Sequence, residues 1–110
     1  MRPIPIKLRE EITQDPFMMF CIYERSDAPN HNCNGRITFE HAWIYAGKQV
    51  NEKWAIVPCC MAHNSGVAMV KDFNRYVALS RANIVDLQKR YPRKNWAQEY
   101  KFLSKKYGRQ

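Results

Sequence analysis

No stretch of this sequence approaches the roughly 20 consecutive apolar residues that a bilayer-spanning helix needs, so a membrane-spanning helix is not expected. The opening MRPIPIKLREE has no apolar core of the secretory-signal kind. The expected compartment is therefore the cytoplasm, where four cysteines point to metal before disulfides. There is no internal repeat, no low-complexity tract and no linker long enough to divide 110 residues, so one domain spanning 1–110 is expected. Acidic residues are nearly missing from the end. Residues 87–110 hold eight Lys/Arg against Glu99 alone, whereas residues 1–86 hold ten against nine acids. Almost all of the net charge of +8 thus sits in the last fifth of the chain. Such a segment suits a polyanion, most commonly nucleic acid; the plainer alternative is a solvated tail.

What is present supports a modest core. Hydrophobic residues make up 45% and aromatics 13%, which fits a globular chain. A chain of this size buries roughly two-thirds of its unfolded surface, so a structural metal would help it. KLREEITQ can form a short helix, and Asp15-Pro16 reads as an N-cap followed by proline at the first helical position. Glu24 to Gly35 is turn-rich loop. RITFEH favours a strand, YAGKQVNEK a polar connection, and WAIVPC a second strand ended by Pro58. From Met61 to Tyr76 the pattern turns helical. Asn83 with Asp86 predicts a cap for a helix stopped by Pro92, and a last helix begins near Asn95. On it Trp96, Tyr100, Leu103 and Tyr107 share one face, which reads as core packing, while Lys101 and Lys105 lie elsewhere and could meet phosphate.

Cys60 and His63 form a Cys-x-x-His pair, a spacing that suits a tight knuckle. Tetrahedral zinc often takes two such pairs from separate segments. Cys21 and Cys33, eleven residues apart in between, are the natural second pair, with His31 a rival for the position of Cys33. Cys59 would point away from Cys60 along a strand and reads as a small buried hydrophobe. The bland alternative is four buried thiols and a hydrogen-bonded core histidine.

Glu40, His41 and Asn64 are not needed for that cluster. Glu40 and Asn64 are oxygen donors suited to a hard cation such as Mg²⁺ or Mn²⁺. His41 can take a proton from water. Together they would hydrolyse a phosphodiester. For neighbours Glu40 and His41 to share one site, the strand must end or bend there. Taken alone, His41 is more often a strand histidine bonded to backbone.

FEH, a glycine-containing loop and then WAIVPCCMAHN resemble the HNH endonuclease family. The resemblance covers about Cys21 to Lys71. It implies an α+β fold, a zinc-braced ββα-metal finger (about 33–76) flanked by N- and C-terminal helices, with the basic helical region at 80–110. It implies that Cys21, Cys33, Cys60 and His63 hold structural Zn²⁺. His41 would be the general base, and Glu40 and Asn64 the ligands of a catalytic Mg²⁺ or Mn²⁺, with Asn64 standing where the family's last His often stands. The family's central Asn, which orients the general-base His, falls at about Ala55; Asn51, the nearest, is four residues early. The chain is similar to small phage or prophage HNH proteins, which implies DNA processing or recombination in a bacterial or phage-infected host cytoplasm. The expected function is thus a metal-dependent DNA endonuclease. Arg36, Lys48, Lys71 and Arg75, with Lys101 and Lys105, would contact the DNA backbone with little sequence readout. No membrane partner is expected, and a homodimer would suit cutting of both strands. Two alternatives remain open: a zinc-stabilised nucleic-acid-binding protein that cleaves weakly or not at all, and a zinc-scaffolded protein-interaction module.

Overall fold

The middle of the chain doubles back on itself. In the computed structural model, which describes residues 3–29, 31–63 and 69–108, Ile37–His41 (β1) and Ile56–Cys60 (β4) pair antiparallel. Ile37 lies opposite Cys60, and His41 opposite Ile56. Between them a second, smaller ribbon joins Ile44–Tyr45 (β2) to Lys48–Gln49 (β3). Its turn residues Ala46 and Gly47 both have positive φ, 52° and 78°. That is the two-residue connection whose twist matches paired strands. Ile6–Thr13 (α1) precedes the sheets; Lys71–Ser80 (α2), Ile84–Arg90 (α3) and Trp96–Tyr107 (α4) follow them. The fold is mixed α+β, with four α-helices and two small antiparallel sheets among the described residues.

Strand β4 is buried along its whole length because it is packed on both faces. Val57 and Cys59 join the core with α2, while Ile56 joins a smaller cluster with Ile4, Ile12 and Met18 at the N-terminal end. The β-branched Ile56 and Val57 suit a strand enclosed in this way. Pro58 does not end the strand, contrary to the sequence expectation; pairing continues to Cys60. β4 has a partner on one side alone, and proline is tolerated where its missing N–H faces away from the partner.

The expected helix from Met61 to Tyr76 is also corrected. A 3₁₀ turn occupies Met61–His63, and Val70, extended at φ −106° and ψ 103°, immediately precedes α2. The helix caps are as the sequence predicts. Asp15 accepts from the Phe17 N–H at 3.0 Å, Asn83 from Asp86 at 3.1 Å and Asn95 from Gln98 at 3.1 Å. The α4 face also packs as expected. Trp96 and Leu103 are buried, and Tyr107 meets Phe73 of α2 with ring centroids 5.3 Å apart. Trp96 gathers Trp43 and Trp54 at 5.1 and 5.8 Å, fixing the C-terminal helices onto the β2–β3 ribbon and the strand entry.

Gly35 enters β1 at φ +85°, and a Cβ there would lie 2.7 Å from Met61 Cβ. Both the left-handed backbone and the close approach require glycine. Gly35→Ala should lower unfolding stability by about 2 kcal/mol or more, read as a lower urea midpoint at unchanged slope.

Candidate functional site

Two groups of chemistry-bearing side chains lie at opposite ends of the β1–β4 sheet. At the Cys60 end, ligand atoms of Cys21, Cys33, Cys60 and His63 all fall within 4.8 Å of one another. These four residues can hold a metal ion. Cys60 precedes the Met61–His63 3₁₀ turn, in which side chains three apart eclipse, so the Cys-x-x-His spacing puts Cys60 Sγ 3.2 Å from His63 Nδ1. Cys21 Sγ is 3.8 Å from the same nitrogen and accepts the Tyr23 backbone N–H at 3.4 Å. The Asn34 N–H donates to Cys60 Sγ at 3.3 Å. Cys33, not the exposed His31, completes the group. Cys59 is fully buried and outside it, as the strand alternation predicts.

The electrostatics of the group fit a cation. Burial pushes the Cys21 thiol up. Burial and the neighbouring Cys21 and Cys60 sulfurs push Cys33 up to about 12. Burial also opposes ionisation of Cys60, but the Asn34 N–H, the His63 ring and the backbone N–H groups of Ala62 and His63 outweigh it and hold this thiol well below its usual value. Three sulfurs this close cannot all be thiolates unless a positive ion lies among them.

At the other end, Glu40 and His41 line one cleft of about 270 Å³ with Lys71, Asn74 and Arg75 from α2. Strand β1 ends at His41, which allows adjacent residues to face the same cleft. Burial raises the pKa of Glu40, and its carboxylate has no ion-pair or hydrogen-bond partner among the described residues. Lys71 and Arg75, one helical turn apart, bring positive charge to the same wall. Arg75 also lies 5.7 Å over the Trp43 ring and 3.4 Å from Asp72.

His41 Nε2 is 2.7 Å from Asn51 Oδ1. The β2–β3 ribbon explains the contact. The Val50 N–H donates to the Trp43 carbonyl at 3.0 Å, so the returning chain brings Asn51 back beside His41. Ala55, where the family pattern would put its central Asn, is fully buried and its carbonyl accepts the Ala42 N–H at 2.7 Å. Spacing counted along the chain missed Asn51 because the ribbon shortens the path. The signal that could have found it is the Ala-Gly pair at the centre of YAGKQ, read as a hairpin turn.

The other expected site residues divide. Asn64 lies outside the described residues. Arg36 is exposed at the Cys60 end of the sheet, away from the cleft, because it precedes Ile37. Lys48 lines a separate groove of about 450 Å³ with Asn51 and Tyr91. Lys101 and Lys105 are exposed on α4 and do not line the cleft. Part of the C-terminal positive charge is neutralised within the fold. Arg90 pairs with Glu52 and Asp86, and Lys106 with Asp72 at 3.1 Å. Lys89, Arg93, Lys94, Lys101 and Lys105 have no acidic partner among the described residues. No helix among the described residues is long and apolar enough to cross a membrane. The chain matches no protein-family model, no curated protein and no solved structure.

Proposed function

We propose that this protein is a metal-dependent endonuclease of the HNH kind, a zinc-braced ββα-metal finger that hydrolyses phosphodiester bonds in DNA. The observation that carries this reading is the His41–Asn51 contact at the rim of a cleft holding Glu40, Lys71 and Arg75. With the Asn51 amide oxygen as acceptor, the ring proton resides on Nε2. Nδ1 is then the lone pair that can take a proton from a water molecule. The oxygen of that water bonds to phosphorus, the bond from phosphorus to one sugar oxygen breaks, and the departing oxygen takes a proton from solvent. Lys71 and Arg75 hold the ester's negative charge. Asn51 keeps the ring from rotating and favours the imidazolium that forms.

A divalent cation at Glu40, with Asn64 as the expected second ligand, would supply charge stabilisation to the phosphate and leaving oxygen when bound. The fit rests on Glu40: a half-buried carboxylate without a partner is the donor a hard cation prefers. Zinc is the ion the other group suits. Zn–S and Zn–N bonds of about 2.3 and 2.0 Å at tetrahedral angles separate S and N by about 3.5 Å, close to the 3.2 and 3.8 Å of His63 Nδ1 from Cys60 and Cys21.

Asn51 beside His41 weakens the case for a binding protein that has lost cleavage, since that case leaned on Ala55. Metal-loaded protein should convert supercoiled plasmid to nicked circles only when Mg²⁺ or Mn²⁺ is added; absence of nicking with either ion would reject the enzyme. Lys89, Arg93, Lys94, Lys101 and Lys105, without acidic partners among the described residues, are available to a DNA backbone. Affinity for a DNA duplex should fall steeply with salt, with a slope of about −0.9 per phosphate contacted on logarithmic axes. No binding even at low salt would favour the protein-interaction module.

A further inference from the structure

Asn74 and His63 are the two buried polar residues among the described ones, and Tyr23 touches both. The Tyr23 ring stacks on His63 with centroids 4.2 Å apart and planes 4° from parallel. Its hydroxyl accepts the Val70 N–H at 2.8 Å and lies 2.6 Å from Asn74 Oδ1. The hydroxyl has one proton to give, and Asn74 Oδ1 at 2.6 Å is a nearer acceptor than the Val70 carbonyl at 3.2 Å. A separation of 2.6 Å belongs to an O–H···O bond; the amide oxygen therefore faces Tyr23 and the NH₂ is turned the other way. No described residue accepts from that nitrogen. Asn74 is 3% exposed and lines the cleft of Glu40, His41, Lys71 and Arg75. That nitrogen is not sealed from solvent, so it is a donor open to a ligand or water in the cleft. The same wall carries the N-terminus of α2, whose N-cap Val70 offers no side-chain acceptor, so its first N–H groups add positive potential.

We propose that Asn74 is a substrate-binding residue of this cleft, its amide N–H donating to a non-bridging oxygen of a phosphodiester, and that Tyr23 is the positioning residue that keeps the donor turned toward the ester. The proposal rests on the nuclease reading for the identity of the ester. A donor is needed at this point because Glu40 stands in the same cleft and repels an anion. Lys71 and Arg75 offset that repulsion, and Asn74 fixes where the ester sits. Tyr23 also ties this position to the Cys/His group through its stack on His63, so the metal-braced end of the fold sets the aim of a group in the cleft.

The test uses the metal-loaded full chain, ¹⁵N-labelled, with Mg²⁺ and the dinucleotide thymidylyl-thymidine as probe. The side-chain ¹⁵N–¹H₂ pair of Asn74, identified by its loss in Asn74→Asp, should shift saturably with the dinucleotide. It should stay still with the uncharged methylphosphonate analogue. Asn74→Asp should weaken dinucleotide binding about 10- to 100-fold, the worth of one hydrogen bond to a charged group. Tyr23→Phe keeps the stack on His63, so metal content should be unchanged while dinucleotide affinity falls and the Asn74 pair broadens or moves. Shifts confined to other cleft residues, or no binding of the dinucleotide, would overturn the proposal; if Asn74→Asp fails to fold, through-bond assignment of the wild-type chain identifies the pair and the wild-type titration decides. The two readings fail separately. Plasmid nicking with an unmoved Asn74 pair sinks this proposal alone, and a responsive pair without nicking sinks the nuclease alone.

Discussion

Removal of the metal from Cys21, Cys33, Cys60 and His63 is expected to abolish cooperative unfolding. A chelator such as EDTA or phenanthroline should erase the near-ultraviolet circular dichroism and flatten the thermal transition, and added Zn²⁺ should restore both. The magnitude follows from the position of the group. Cys21 anchors the 3₁₀ turn after the first apolar run, Cys33 the loop into β1, Cys60 the end of β4 and His63 the turn beyond it. Three separate segments are therefore tied at one point. Structural zinc contributes about 10–16 kcal/mol in zinc-finger peptides, as much as the whole stability of about 5–15 kcal/mol typical of a domain. Without the ion, burial and mutual repulsion keep the Cys21 and Cys33 thiols protonated. Cys60→Ser should mimic chelation, with less than one equivalent of zinc retained. Because the ligands bind only when deprotonated, metal affinity and stability should fall together as the pH falls.

The second large effect is catalytic. His41→Ala should reduce Mg²⁺-dependent plasmid nicking by about 10² to 10⁴-fold, with an unchanged thermal transition. His41 is half-buried at the end of β1 and its side-chain partner among the described residues is Asn51, so truncation removes little packing. Asn51→Ala should cost less, about tenfold, and chiefly in kcat. The ring remains in place but loses the acceptor that fixes its tautomer. If Asn51→Ala leaves kcat unchanged, the contact is structural and His41 is oriented by other means.

Much of the metal group was legible in the sequence because its chemistry is local. Cys-x-x-His forces Cys60 and His63 onto one turn, and two further cysteines in a chain expected in a reducing compartment point to metal. Alternation along WAIVPCC also set Cys59 apart from Cys60. The choice of Cys33 over His31 was not legible, since an Asp/Pro/Asn-rich loop fixes no side-chain direction. The cleft was half legible. Glu40 and His41 could be named, and their sharing of one site required the strand end that β1 has. Asn51 was hidden because the path from His41 folds back through a hairpin whose Ala-Gly turn is a weak signal. Tyr23 was hidden for another reason: an aromatic in an apolar run reads as core, and its hydroxyl contacts lie 47 and 51 residues away. Composition counted the basic C-terminus correctly, but it could not foresee that Arg90 and Lys106 spend their charge on Glu52, Asp86 and Asp72.

The central claim is that the imidazole of His41 takes the proton from the attacking water. Chemical rescue tests it most directly. Supercoiled plasmid is incubated with metal-loaded His41→Gly protein and Mg²⁺, with and without added imidazole. The account predicts no nicking above background without imidazole, and nicking that rises with imidazole concentration, while the wild type is not stimulated. A His41→Gly protein that nicks as fast as the wild type in the absence of imidazole would contradict it.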